Sequence, residues 1–263
     1  MPAYWDTGGP PGILPTATDE TSAPSHKAIV MTNSNIVDGS FRFLVWGAGG
    51  QGRMVGDLVH AIGGKVAGYA DRDSGRLGAI VEPIGAPVSY VQDELMSALE
   101  VLGGYPEGID ASALGIGDNR SREECLGRLH RLEVPALVHP SATVSPFARL
   151  GRGTVVFPHA VVNAGSRIDE AVIINSGSII EHDCVVSSAA HISPGAVVCG
   201  GVTIGARSWI GAGATIIHGM RVGADVIVGA GSTVLADVSD GATVVGSPAR
   251  IKPETAVEME EPE

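Results

Sequence analysis

The sequence predicts an α/β chain in two parts, a strand–turn–helix–strand domain followed by a parallel β-helix. Two observations carry this. From Val138 to Val234 every sixth residue is Val, Ile or Leu, without an insertion. Ahead of that stretch, the apolar run Phe41 to Trp46 leads into Gly47-Ala48-Gly49-Gly50-Gln51-Gly52-Arg53 and an apolar helical pattern through Met54, Val55, Leu58, Val59 and Ile62.

A period of six fits neither the 3.6 of a helix nor the alternation of one long strand, so each hexad is a short strand plus a corner. Such rungs bury their apolar column only by stacking on one another. The position four after each aliphatic is mostly small, as at Ala142, Ala160, Ser166, Ser178, Cys184, Ala196 and Ala214. Gly151, Gly205, Gly211, Gly223 and Gly229 directly follow an aliphatic, where a tight corner is expected to require positive φ. A sandwich or barrel is also rich in valine and glycine, but its strand spacing is uneven.

In the first domain the glycines satisfy G-x-G-x-x-G. That spacing allows a tight turn, close backbone approach to a phosphate, and a helix N-terminus aimed at the anion. Gly47, Gly49, Gly50 and Gly52 are therefore candidate contacts for a nucleotide. A second strand, Lys65 to Ala70, ends at Asp71, where a carboxylate could take a ribose hydroxyl. A helix near Gln92 to Leu102, a strand ending in Leu114-Gly115-Ile116-Gly117, and a helix from about Ser121 to Leu132 complete the unit. Residues 41–136 amount to one mononucleotide-binding half, which favours a single nucleotide or a nucleotide-linked metabolite over NAD.

Composition sets the limits. The net charge is -12 with 17 Lys plus Arg, which argues against nucleic acid or an acidic membrane as partner. Cys125, Cys184 and Cys199 show no metal-ligand spacing and suit a reducing cytoplasm. No apolar run is long enough to insert in a membrane, and no basic-then-apolar leader opens the chain. Residues 1–40, rich in Pro, Gly, Ser and Thr, read as a disordered extension within which Met31 offers a second possible start. Residues 253–263 read as an acidic tail, leaving 137–252 for the solenoid.

The hexads resemble the left-handed β-helix of the hexapeptide-repeat acyltransferases, whose triangular coils hold three hexads each. Its hand is implied by that resemblance, since the rule for parallel crossovers would give the opposite one. Eighteen residues per coil places residues 18 apart one above the other, at roughly the 4.8 Å strand spacing. Inward slots are then each aliphatic and the fourth residue after it, so His182 and His191 point outward and the Cys184 thiol points inward. Gly200 falls directly over His182 and leaves room beside its imidazole, with an open backbone N–H. A base beside an oxyanion donor is the pair that acyl transfer needs. Glu181 or Asp183 could orient His182. By itself, an outward histidine on a solenoid is usually a plain surface residue.

The run Ile174-Asn175-Ser176-Gly177-Ser178-Ile179-Ile180-Glu181-His182-Asp183 is similar to the central motif of sialic acid O-acetyltransferases of NeuD type, a family that includes the UDP-4-amino-sugar N-acetyltransferases. The likeness extends over roughly Phe41 to Lys252. It takes in the glycine turn, Asp71 and the Ile116-Gly117-Asp118-Asn119 to Arg122 stretch, and departs at Asp118, where the family often has Asn. Val245-Gly246-Ser247-Pro248-Ala249-Arg250 resembles the terminal G-x-P-A-[KR] of acetyl-CoA-dependent enzymes.

The resemblance implies a Rossmann-like first domain that binds a nucleotide-linked 4-amino-4,6-dideoxy sugar, with Asn119 and Asn175 among the substrate contacts. It implies a catalytic group of His182 as base, Asp183 as its partner and Gly200. Acetyl-CoA, the co-substrate, would meet His191, Gly200, Gly246, Pro248, Ala249 and Arg250, with no metal. It further implies a cytoplasmic homotrimer, active between neighbouring solenoids in surface glycan or lipopolysaccharide biosynthesis, by direct N-acetylation without an acyl-enzyme. Other readings are a sugar O-acetyltransferase, a γ-carbonic-anhydrase-like zinc enzyme using His182, His191 and His218, and a non-catalytic nucleotide-binding solenoid. The three histidines lack the close pair of that zinc family. His218 reads as surface or channel lining, and His139 and His159 as surface.

Overall fold

The computed structural model describes residues 30–32 and 41–252; the readings made for residues 1–29, 33–40 and the acidic tail lie outside the described residues. Residues 137–252 wind into a three-sided prism. Val155 pairs in parallel with Leu137 and Ile173, Val161 with Thr143 and Ile179, and Arg167 with Arg149 and Val185. Each of these steps is 18 residues, on all three faces, and the last coil is shorter, with Ile227 paired to Thr243 and Val222 to Val238. The faces are sheets of nine, six and five strands, the nine-stranded one also taking up strands outside the hexad run.

The inward column of Val156, Ile174, Ile192, Ile210 and Val228 is buried, as are the slots four residues on. Those slots are small because the corner folds back over them. Where they are polar, the hydroxyl is used: Ser178 Oγ donates to Asn175 O at 2.7 Å, Ser166 Oγ to Glu181 O at 2.7 Å, and Ser208 Oγ to Gly223 O at 2.6 Å. A buried hydroxyl without such an acceptor would cost on the order of 1 to 3 kcal/mol.

The glycines that directly follow an aliphatic serve a different purpose from the one expected. Positive φ falls three residues after the aliphatic, at Gly177, Asp183, Ala189, Arg207 and Gly213 among others. Gly151, Gly211 and their equivalents are needed for close approach. A Cβ on Gly151 would stand 2.5 Å from the Asp169 carbonyl carbon, and one on Gly211 would stand 2.6 Å from Ala230 N. Coils stacked at β-sheet spacing leave no room there for a side chain.

A further correction concerns the extension assigned to residues 1–40. Val30–Met31 forms a strand paired with Ala136 and Leu137, which covers the open edge of the first coil. Two residues are too short a strand to show any period in the sequence.

The first domain is a five-stranded sheet ordered Ile80–Val81, Ala86–Val91, Lys65–Asp71, Arg42–Trp46, Ala111–Leu114. Ile80–Val81 is antiparallel to its neighbour and the rest are parallel. Helices α1 Gly50–Ala61 and α2 Gln92–Leu102 lie between its strands, and α3 Asn119–Arg128 leads from the last of them to the solenoid. The chain moves outward from Arg42–Trp46 in one direction, then returns to place Ala111–Leu114 on its other side. The order therefore reverses between those two strands, and open α/β sheets present their ligand crevice at the carboxyl ends there.

This domain sits on the nine-stranded face. Its core residues Phe43, Val45, Val55 and Leu58 share a cluster with the outward-facing Leu137, Val155 and Ile173. Arg122 of α3, fully buried, supplies the polar lock. Its guanidinium donates to Ala171 O at 2.7 Å, Ala189 O at 2.8 Å, Ile116 O at 3.0 Å, Gly117 O at 2.9 Å and Asn119 Oδ1 at 2.7 Å. Burial pushes its pKa down to about 10, which leaves it cationic at neutral pH. Arg122→Ala should destabilise the protein by about 3 kcal/mol or more, because several buried carbonyls lose their donor. Thermal melts check this, with little rescue expected from Arg122→Lys, which lacks the planar fork; an unchanged midpoint would contradict the lock.

Candidate functional site

The glycine turn follows the Arg42–Trp46 strand. Gly47 has φ +94, and a Cβ there would stand 2.7 Å from Gly115 O. Gly52 lies against the Gly47 carbonyl, fixing α1 close to the strand, while Gly49 and Gly50 have open space where a Cβ would be. Gly49 caps α1 without a side-chain hydrogen bond, so the first helical N–H groups are available to an anion. Asp71 lies beside this turn, but its carboxylate is already engaged. Its oxygens accept from Ala48 N at 2.7 Å and Asp73 N at 3.0 Å, and Arg76 donates to Ala48 O at 3.1 Å. Asp71 thus braces the turn.

On the Gly117 side of the turn, a cleft of about 500 Å³ opens between the first domain and the solenoid. Gly117 to Arg120 form one wall, and His191, Arg207, Trp209, Asp225 and Ile227 the other. His191 Nε2 lies 3.1 Å from Asn175 Nδ2. Its pKa is lowered to about 4, by burial first and by the Arg122 charge second, so the imidazole is neutral at physiological pH. It stacks on Trp209, ring centroids 6.0 Å apart and planes at 9°. Asn119, expected to touch substrate, has its amide committed to docking: Nδ2 donates to Arg207 O at 2.8 Å, and Oδ1 accepts from Arg122. Arg207 in turn clasps Asp225, at 2.8 and 2.7 Å, and Glu123 of α3 at 3.1 Å.

A second cluster occupies a different corner of the prism. His182 Nδ1 lies 2.9 Å from Asp183 Oδ2, with both side chains open to solvent at 66% and 72%. A carboxylate only accepts, so Nδ1 carries the proton and Nε2 presents its lone pair. Gly200 faces that nitrogen: a Cβ there would stand 2.5 Å from Nε2. Gly201 N donates to His182 O at 2.9 Å, which holds the two coils in register. Glu181, the other candidate orienter, is taken by Asn163 Nδ2 at 3.0 Å. Cys184 is buried and its thiol donates to Cys199 O at 3.2 Å.

The strands Thr243–Val245 and Arg250–Ile251 pair as an antiparallel hairpin. Gly246, Pro248, Ala249 and Arg250 lie at its tip, where Gly246 has φ +98 and the Ser247–Pro248 bond is cis. Within one chain, then, His182, Asp183 and Gly200 come together, and so do Asn175 and His191, but the two groups stand apart. His218 follows His182 two coils along its corner. Among the described residues, no group of three His, Cys, Asp or Glu side chains is placed to hold a metal ion. Sequence reasoning missed Arg122, Arg207, Trp209, Asp225 and Ile227. Stepping by 18 from Ile173 through His191 reaches Trp209 and Ile227 and would have found two of them.

The family model described as bacterial transferase hexapeptide (six repeats) matches residues 201–236. The solved acetyltransferase domain of PglB from Neisseria gonorrhoeae is 37% identical, with a TM-score of 0.71, over 80% of this chain and 99% of that one. The chain belongs to the hexapeptide-repeat sugar N-acetyltransferases, and its solenoid is the left-handed β-helix of that family. Perosamine N-acetyltransferase from Caulobacter crescentus, solved as a histidine-to-asparagine variant with CoA and GDP-perosamine, is also 37% identical, with a TM-score of 0.72, over 80% of this chain and 96% of that one. WeeI from Acinetobacter baumannii is 26% identical, with a TM-score of 0.70 and coverage of 81% and 100%. Curated protein sequences give no match.

In this sugar acetyltransferase a Cβ on Gly200 would meet the His182 imidazole, an exposed ring that can swing aside. Gly200→Ala should displace the His182 ring and lower turnover by about 10²-fold or more, with the thermal midpoint changed little; wild-type turnover would contradict the contact. His191 generates a pH effect. Its folded pKa of about 4 lies below the ordinary 6.5, so between those values the unfolded chain binds more protons and stability rises with pH. Stability is therefore lost as pH falls from about 6.5 towards 4. The fall in melting temperature over that window should be smaller in His191→Asn.

Proposed function

We propose that this protein transfers the acetyl group of acetyl-CoA directly to the amine of a nucleotide-linked 4-amino-4,6-dideoxy sugar in surface glycan biosynthesis. The observation that carries this is the His182–Asp183 pair with Nε2 facing Gly200. It stands in a chain 37% identical to an enzyme solved with CoA and GDP-perosamine.

Asp183 holds the Nδ1–H, leaving Nε2 as base. The neutral sugar amine attacks the thioester carbonyl carbon, and the developing oxyanion takes the backbone N–H of Gly200. His182 accepts the proton shed as the C–N bond forms. The C–S bond then breaks and the protonated imidazole returns that proton to the departing thiolate, giving the amide and CoA. A positioned base contributes about 10² to 10⁴ in rate and an oxyanion donor about 10² to 10³, enough for a thioester already held in place.

The nucleotide lies at the Gly47 to Gly52 turn of residues 41–136, and CoA lies along the solenoid of residues 137–252 towards the Gly246 to Arg250 tip. Asn175 contacts the sugar and His191 stands near the acetyl group. A homotrimer supplies what one chain lacks: the partner's His182 corner closes against the Asn175–His191 cleft. No helix of the described residues is long and apolar enough to cross a membrane, and we place the reaction in the cytoplasm, where acetyl-CoA is made and used.

Incubation with acetyl-CoA and UDP-, GDP- and dTDP-linked 4-amino sugars, reading free thiol, is expected to give turnover with at least one. Turnover only with hydroxyl acceptors such as sialic acid would replace the amine reading. His182→Ala is expected to lose at least about 10² in turnover while light scattering still reports trimers; full activity would refute the base.

A further inference from the structure

We infer that the exposed face of Trp209 is the platform on which the hexose ring of the nucleotide sugar lies, making Trp209 a specificity-determining residue. This rests on the function proposed above and adds to it an apolar surface against which the sugar ring packs.

The outward column of the nine-stranded face runs Leu137, Val155, Ile173, His191, Trp209, Ile227. Its first three members are buried beneath the first domain. At His191 that domain lifts away, leaving Trp209 49% and Ile227 45% exposed along the cleft. Two large apolar side chains held in a cleft gain by being covered, at about 25 cal/mol per Å².

Trp209 is also fixed in place. Its indole Nε1 donates to Ser193 Oγ at 2.7 Å, and one face lies against His191. The part of the ring not covered by His191 borders the cleft beside Ile227 of the next coil. Arg207, Arg120, Asp225 and Glu123 nearby form a network of two positive and two negative charges, so this floor asks for a neutral group with an apolar face and a polar rim. The C–H face of a sugar ring meets that description.

Sheet order gives the ligand two directions to leave the turn. The glycine turn follows the strand lying between Lys65–Asp71 on one side and Ala111–Leu114 on the other. With phosphates at the turn, one end of the ligand points to Asp71 and the other to Gly117. Gly117 abuts Gln51 of the turn and also lines the Trp209 cleft. In this proposal the hexose runs along the Gly117 side, because that side leads to Trp209 and His191, and the nucleoside is left on the other.

The test uses the full chain with acetyl-CoA and UDP- or GDP-linked 4-amino-4,6-dideoxyhexose. Trp209→Ala should raise the KM for the nucleotide sugar about tenfold or more and leave that for acetyl-CoA within about twofold, and Trp209→Phe should restore most of the loss. Tryptophan fluorescence, with Trp209→Phe as the blank, should change with the nucleotide sugar but not with UDP, GDP or CoA alone. A response to CoA, an equal response to the bare nucleotide, an unchanged KM, or a Trp209→Ala protein that no longer forms trimers would overturn the platform. If no sugar is acetylated yet the sugar-dependent fluorescence change persists, the acetyltransferase reading fails and the platform stands.

Discussion

Coil-to-coil backbone hydrogen bonding at a fixed step of 18 residues is the constraint from which the rest of this structure follows. Val161 N donates to Ser178 O, Ile179 N to Ala196 O and Val197 N to Ala214 O, each at 2.8 to 2.9 Å. One residue added within a strand would turn its inward aliphatic to solvent, and only the last coil, where Val228 pairs with Val244, departs from the step. The ladder also stacks chemistry with the same regularity. Gly200 lies over His182 for the same reason that Val198 lies over Ile180 in the inward column: each pair is one coil apart.

The same regularity leaves a residue of free carbonyls. At the corner between the five- and nine-stranded faces, Ala171, Ala189 and Arg207 adopt positive φ. Their N–H groups join the ladder while their carbonyls receive no bond from it. Arg122 and Asn119 of the first domain take those carbonyls at 2.7 to 2.8 Å. Docking thus satisfies a polar need that the solenoid creates, and a buried cation with no carboxylate partner is stabilised by dipoles instead. The arrangement positions α3, and with it the Gly117 to Arg120 wall, against the column that carries His191 and Trp209.

Chemistry then divides between two corners of the prism. One holds an exposed imidazole oriented by Asp183 beside a bare peptide. The other holds a neutral, half-buried imidazole between Asn175 and Trp209, facing a cleft that begins at a glycine turn. The acetyl transfer proposed here needs base, oxyanion donor and nucleotide-sugar site together, and in the proposed trimer a second copy of the chain would bring one kind of corner to the other.

Much of this was legible in the residues. The hexad period specifies the inward column, and the resemblance to hexapeptide-repeat enzymes sets the coil at 18, which brings Gly200 to His182. The glycine spacing specifies the turn, since Gly47, Gly49 and Gly52 differ in what surrounds their missing Cβ. These are local or strictly periodic properties, and a linear pattern records them directly. The pairing of Glu181 with Asn163, the engagement of Asn119 and Asp71 in bracing, the burial of Arg122 and the exposure of Trp209 were decided only by tertiary structure. Each depends on which side chain from another coil or domain arrives within hydrogen-bond reach, and no spacing along the chain encodes that distance.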